Sequence, residues 1–227
     1  MPGPQPARLV LVRHGRTAWN AQRRFQGQAN PPLDTHGRAQ AYELAALIAA
    51  MQPDVLVSSD ADRALQTARL IGDATGLEVG VDARLRERSL GHWEGLTRDE
   101  VAERYPDEFA DWAAGRDVTR RGGESREEVA DRAVAALAAL PAVELAVVVT
   151  HSATAMAATC ALLGLSQRVH VLGPLANCHW SDVVREEHPD GTRAWRLRAH
   201  NVGAAGTVVP HPAPGVLPDE SAPDAEA

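Results

Sequence analysis

The chain has 227 residues, 44% of them hydrophobic and 23% charged, and a formal net charge of −7. That length suits one well-packed domain and leaves little room for two, and the acid excess argues against a general nucleic-acid surface. No apolar run approaches the roughly 18 residues of a membrane-spanning helix, and every one of the 23 basic residues is arginine, which removes a Schiff-base lysine and a Walker A loop from consideration.

Residues 1–7 lack the basic head and apolar stretch of a signal peptide, so they are expected to be a disordered lead-in to a cytoplasmic protein. A continuous apolar run at 8–12 predicts a strand buried on both faces, and it leads straight into Arg13-His14-Gly15. Open α/β sheets bind ligands at that strand end, and the glycine lets backbone approach one. Thr17 and Asn20 complete an Arg-His-Gly-x-Thr-x-x-Asn pattern.

A helix is predicted over 37–51 and a strand over 54–58, followed by Ser58-Ser59-Asp60-Ala61-Asp62-Arg63. Arg63 falls in the first turn of a helix over 61–75 that Gly76 stops. A guanidinium forks onto two phosphate oxygens and keeps its charge, although pairing with Asp60 or Asp62 explains Arg63 as well.

The stretch 84–123 breaks the alternation, with helical pieces at 97–105 and 107–114 between Pro and Gly, and is read as a lid-like insertion over the strand ends. Glu87 is placed there as a general acid for a leaving alkoxide; Glu94 is its rival, and a solvated salt bridge is the competing explanation. Arg120-Arg121 are candidates for a substrate carboxylate, against an exposed basic pair.

A helix over 124–140 ends before Pro141, and a strand over 145–150 delivers His151. Ser152 opens the next helix, expected over 154–163, whose free N–H groups favour an anion. Strands at 178–185 and 194–199 alternate as edge or antiparallel strands do. Residues 210–227 hold Asp219, Glu220, Asp224 and Glu226 without an arginine, and are expected to be a disordered acidic tail.

Strands alternating with helices predict an α/β fold, a three-layer sandwich whose mostly parallel mixed central sheet is flanked by helices, in one domain spanning 8–209. Two histidines at strand ends suit a phosphate or a metal. Neither has a second histidine at ligand spacing or a carboxylate within three residues, which favours phosphate. Cys160 and Cys178 form no CxxC pair and are read as small buried side chains.

With these residues in place, the chain resembles the histidine phosphatase superfamily, also called phosphoglycerate mutase-like. The resemblance rests on Arg13–Asn20, on Arg24-Phe25-Gln26-Gly27 through Pro32-Leu33, and on Gly37-Arg38-Ala39-Gln40. It continues in Ser58-Ser59 with Arg63-Ala64 and Thr67-Ala68, Leu85-Arg86-Glu87, Gly95-Leu96, Gly122-Gly123-Glu124-Ser125 and Val148-Val149-Thr150-His151. It implies His14 as nucleophile, Glu87 as acid and then base, and Arg13, Arg63 and His151 as phosphate holders. Asn20, Gln26, Gly27 and Ser152 would be further substrate contacts. Ser152 replaces the glycine common in the family, and Asn30 a frequent aspartate.

The compact segment after Glu87 resembles the phosphatase branch, so hydrolysis of a small phosphorylated metabolite is expected, a sugar or glycerate phosphate such as glucosyl-3-phosphoglycerate. A phosphoglycerate mutase is the alternative. A non-catalytic phosphate-binding module is a third reading, set back because both His14 and Glu87 are present. The expected partners are a small phosphorylated substrate, with no cofactor, metal, nucleic acid or membrane; a homodimer is left open.

Overall fold

Two runs of valine and leucine, β1 (Arg8–Arg13) and β4 (Leu145–Thr150), lie side by side and parallel at the centre of a six-stranded sheet. The computed structural model describes residues 5–168, 171–187 and 190–203. The remaining strands are β2 (Val55–Ser58), β3 (Val79–Val81), β5 (Trp180–Glu187) and β6 (Arg193–Val202), in the order β3-β2-β4-β1-β5-β6. From β3 to β1 all neighbours are parallel, whereas β5 and β6 run antiparallel.

The continuous apolar character of β1 and β4 follows from helices on both sides. Val10, Val12, Leu56, Val147 and Val149 pack on Ala41, Leu44 and Ile48 of α2 (Thr35–Ala50) and Ala64, Ala68 and Ile71 of α3 (Asp62–Thr75). Leu9, Leu11, Ala146 and Val148 face the other way, onto α6 (Arg126–Ala138) and α7 (Ser152–Leu162). The chain is therefore a three-layer sandwich around a mixed sheet. Cys160 and Cys178 are buried and unbridged within it.

Caps set several helix ends away from the expected positions. The Asp34 carboxylate accepts from Gly37 N–H at 2.7 Å, so α2 starts at Thr35. Ser125 and Glu128 form a capping box, which starts α6 at Arg126. The last of these helices, α7, begins at Ser152, two residues earlier than its apolar pattern suggests, and leaves His151 as its N-cap. Two elements have no sequence signal strong enough to predict: β3, three residues with Gly80 at its centre, and α1 (Ala18–Ala21), one turn built by Thr17 and Asn20.

The stretch 84–123 contributes α4 (Arg98–Arg104) and α5 (Pro106–Ala113) and has a small core of its own. There Phe25, Leu90, Trp93, Val101 and Val118 pack together, with Phe109 and Trp112 against them. At the amino end Gln5 to Ala7, within the stretch expected to be loose, are held against the sheet. Pro6 is buried, Ala7 N–H reaches Val143 O at 2.8 Å, and Arg185 reaches Gln5 O at 2.8 Å. Residues 1–4 and the expected tail at 210–227 lie outside the described residues, as does the end of the expected domain past 203. Among the described residues no helix is long and apolar enough to cross a membrane.

Strand register is what assembles the functional edge. Arg13 stands opposite Thr150, and Ser58 opposite Val149, so three adjacent parallel strands end nearly level. The next residues on them are His14, His151 and Ser59. The loop after β1 is seated on α2 with almost no space, since a Cβ on Gly37 would lie 2.0 Å from Arg16 O and one on Gly15 would lie 2.4 Å from Gly37 O. Gly37→Ala should therefore destabilise the fold by about 2 kcal/mol, although alanine favours a helix by about 1 kcal/mol over glycine. Urea unfolding measures the sign, and an unchanged or raised midpoint would refute this close approach.

Candidate active site

His14 is 3% exposed, and its Nδ1 lies 2.7 Å from the carbonyl oxygen of Gly15. A carbonyl only accepts, so Nδ1 carries the proton and Nε2 presents its lone pair. Arg63 Nε–H donates to that Nε2 at 3.2 Å. The backbone beneath is held on several sides: His14 N–H to Thr150 O at 3.0 Å, Asn177 Nδ2 to His14 O at 2.9 Å, and Gly15 N–H to Thr67 Oγ1 at 3.1 Å.

Arg63, in the first turn of α3, is 1% exposed. Its two terminal nitrogens each donate once, to Ala29 O at 2.6 Å and to Gly27 O at 2.8 Å. Pairing with Asp60 does not occur, because Asp60 is bound by Arg86 at 2.7 and 2.5 Å. Arg13 is buried beside His14 and reaches Leu175 O at 2.5 Å.

His151 is fully buried, with its ring edge-on to His14 at a centroid distance of 5.1 Å. Its Nε2 lies 3.0 Å from Ser59 Oγ. Burial is the main force that pushes both imidazoles well below their ordinary value near 6.5, with the charges of Arg63 and Arg13 acting in the same direction. Both rings are neutral at physiological pH. Burial also lowers Arg63 to about 10, which leaves it charged.

Glu87 is half-buried and lines the same cleft as His14. Its carboxylate accepts the N–H of Arg88 at 2.9 Å and the first-turn N–H groups of α7 from Thr154 and Ala153 at 3.2 and 3.3 Å. Those helix N–H groups, expected at the sequence level to meet an anionic ligand, thus hold Glu87 instead. Glu94, the rival acid, braces the loop below, accepting from Leu90 N–H at 3.0 Å and Gln28 N–H at 3.1 Å.

The cleft holds about 450 Å³ and is lined by Arg13, His14, Gln26, Gly27, Arg63 and Glu87. Its outer wall is Arg24, Phe25, Leu90, Arg98 and Trp112, with the Arg98 guanidinium 4.9 Å from the centre of a Trp112 ring. Nothing near Arg98 or Trp112 in the sequence marks them, since only the folding of 84–123 over the sheet edge brings them to His14.

Three sequence-level contacts are placed otherwise. Asn20 spends its carbonyl oxygen on Thr17 N–H at 3.0 Å, closing the capping box of α1. The Ser152 hydroxyl turns to Leu175, whose N–H it accepts at 3.1 Å. Arg121 is 1% exposed under the Trp93 ring and Arg120 pairs with Asp111 at 2.6 Å, so neither lines the cleft. Gln26 does line it, tied through Oε1 to the Thr17 hydroxyl at 3.1 Å. Asn30 accepts the N–H of Asp62 at 2.8 Å and fastens this loop to α3. Among the described residues, no group of three His, Cys, Asp or Glu side chains is placed to hold a metal ion.

The pattern of the histidine phosphatase superfamily (branch 1) matches residues 9–201. A glucosyl-3-phosphoglycerate phosphatase of Mycolicibacterium vanbaalenii is 38% identical over 214 residues, which cover 87% of this chain and 95% of that one. A probable phosphoglycerate mutase of Klebsiella pneumoniae is 34% identical over 191 residues, 82% of this chain and 89% of its own. Among solved structures, a mycobacterial glucosyl-3-phosphoglycerate phosphatase in complex with VO3 is 35% identical. It superposes with a TM-score of 0.76, over 86% of this chain and 99% of that one.

The neutral histidines couple site to stability. In the unfolded chain each imidazole titrates near 6.5, whereas folded His14 and His151 titrate well below that value. Below about pH 6.5 the unfolded state therefore binds more protons, and stability falls on acidification by up to about 1.4 kcal/mol per pH unit for each histidine. Urea unfolding between pH 7 and 5 measures this slope. His14→Gln should reduce it, and an identical slope in that variant would contradict a buried neutral His14.

Proposed function

The chain belongs to the histidine phosphatase superfamily and is a phosphatase, and we propose that it hydrolyses phosphate monoesters through a phosphohistidine on His14. The observation that carries this reading is the fixed ring of His14: the Gly15 carbonyl holds the proton on Nδ1, which leaves Nε2 as nucleophile. An entering phosphoryl group takes over the Nε–H of Arg63 that now rests on that lone pair. The lone pair attacks phosphorus, the ester P–O bond breaks, and the leaving oxygen takes a proton from Glu87, which enters this step as the carboxylic acid and leaves it as the carboxylate. Glu87 then takes a proton from water as that water attacks phosphorus. The N–P bond breaks, and phosphate and neutral His14 are regenerated. Arg13 and Arg63 supply the positive charge that offsets the negative charge spread over the equatorial oxygens, which is most of what phosphoryl transfer requires.

The substrate we assign is a small phosphate ester that also carries a carboxylate, of the glucosyl-3-phosphoglycerate class named for the mycobacterial relatives. Arg98 supports this choice, because it lines the cleft from α4 with its planar head against Trp112, a geometry suited to a forked carboxylate contact. The reading includes a cytoplasmic location.

Two measurements test it. His14→Ala should lower kcat by at least about a thousandfold, and rapid quenching should trap an acid-labile phosphate on the unsubstituted protein only. Retained turnover in His14→Ala would overturn the mechanism. Arg98→Ala should raise KM for phosphoglycerate-type esters about tenfold while changing plain sugar phosphates little, in line with the loss of one charged hydrogen bond. Equal losses on both substrate types would remove Arg98 from carboxylate recognition.

A further inference from the structure

Ser59 leaves β2 level with the end of β4, is fully buried, and has its backbone fixed by Ser59 N–H to Val149 O at 2.9 Å. Its hydroxyl oxygen accepts the N–H of Ala61 at 3.3 Å and lies 3.0 Å from His151 Nε2. Among the described residues, the only acceptor that oxygen meets is His151 Nε2. A bare Nε2 gives the hydroxyl proton an acceptor, whereas an Nε2–H donating to Oγ would leave that proton buried with none, so the bare Nε2 is the favoured arrangement. A neutral imidazole with a bare Nε2 carries its proton on Nδ1. That Nδ1 is buried and has no partner among the described residues, on a ring packed edge-on against His14. Burial and the neighbouring guanidinium charges keep the ring neutral.

We propose that Ser59 is a positioning residue that fixes His151 in its Nδ1–H tautomer, so that a neutral imidazole offers an N–H, and not a positive charge, to the phosphoryl group on its way to His14. The phosphate contact rests on the function proposed above, whereas the tautomer rests on the resting geometry alone. Without the hydroxyl, Nε2 would lose its donor and the proton would distribute between the two ring nitrogens. The active-site charge on this side would still come from Arg13 and Arg63, with His151 contributing direction.

Two-bond proton–nitrogen correlation spectra of the ¹⁵N-histidine-labelled protein decide the tautomer, with His151 assigned by its loss in His151→Gln. The expected spectrum shows a protonated Nδ1 and a bare Nε2. Protonation on Nε2, or on both nitrogens, would overturn the assignment. Ser59→Ala should mix the tautomers and lower kcat/KM by about 10- to 100-fold, the range found when a group that orients a functional histidine is removed. Ser59→Thr, which keeps the hydroxyl, should restore both. Ser58→Ala serves as the control for packing, since Ser58 is equally buried but donates to Ser59 O at 2.8 Å. A tautomer unchanged in Ser59→Ala, or lost equally in Ser58→Ala, would remove the role of Ser59. Orthovanadate should shift the Nδ1 signal. Inhibition without that shift would overturn the phosphate contact of His151, whereas no inhibition at all would overturn the proposed function and leave the tautomer standing on the resting spectrum.

Discussion

One buried charge organises this fold's working edge. The Arg63 guanidinium is 1% exposed, and a charge taken out of water costs several kcal/mol unless its donors are met. Three of them are met by Gly27 O, Ala29 O and His14 Nε2, so a single side chain joins α3, the loop between α1 and α2, and His14. A lysine would supply three donors from one point and could not span these three directions. The loop is pinned again by Asn30 on the first turn of α3 and by Glu94 from below, so Arg63 closes a small rigid frame.

Within that frame the division of labour follows from burial. Arginine keeps its charge when desolvated, whereas histidine sheds its proton. Packing Arg13, Arg63, His14 and His151 together therefore yields two fixed cations and two neutral rings in place of four competing charges. A neutral His14 has its Nε2 lone pair available, so the proposed attack on phosphorus needs no base to activate it. The proposed acid, Glu87, is held by the amino end of α7 and lines the same cleft.

Much of this was legible in the sequence because it is local. The strand 145–150 coincides with β4, since a strand buried on both faces is an unbroken apolar run. His14, Arg63 and His151 each sit at the end of a recognisable element, whereas Glu87 falls in the stretch that breaks the alternation and meets His14 and Arg63 in the folded cleft. What could not be read depends on packing between distant segments. Register between β1, β2 and β4 has no local code, so the meeting of Ser59 with His151 appears only in three dimensions. In the sequence Arg120 and Arg121 are only candidates for a substrate carboxylate, set against an exposed basic pair. Folded, the aromatic cluster under the insertion takes Arg121 inward and Asp111 takes Arg120, while Arg98 occupies the cleft wall. Ser152 and Asn20 show the same limit: a polar residue beside a site is as often used to hold backbone as to hold ligand.

The antiparallel course of β5 and β6 also fixes where the described residues begin and end relative to the site. Val202 lies across from Trp180, and Trp180 across from Val12, so Gly203 leaves the sheet on the edge that carries His14. Gln5 to Ala7 join β1 at its opposite end. The first and last described residues are therefore unequal places for a probe: a label at Gln5 stands at the far end of β1 from His14, and one at Gly203 stands on the edge that carries it.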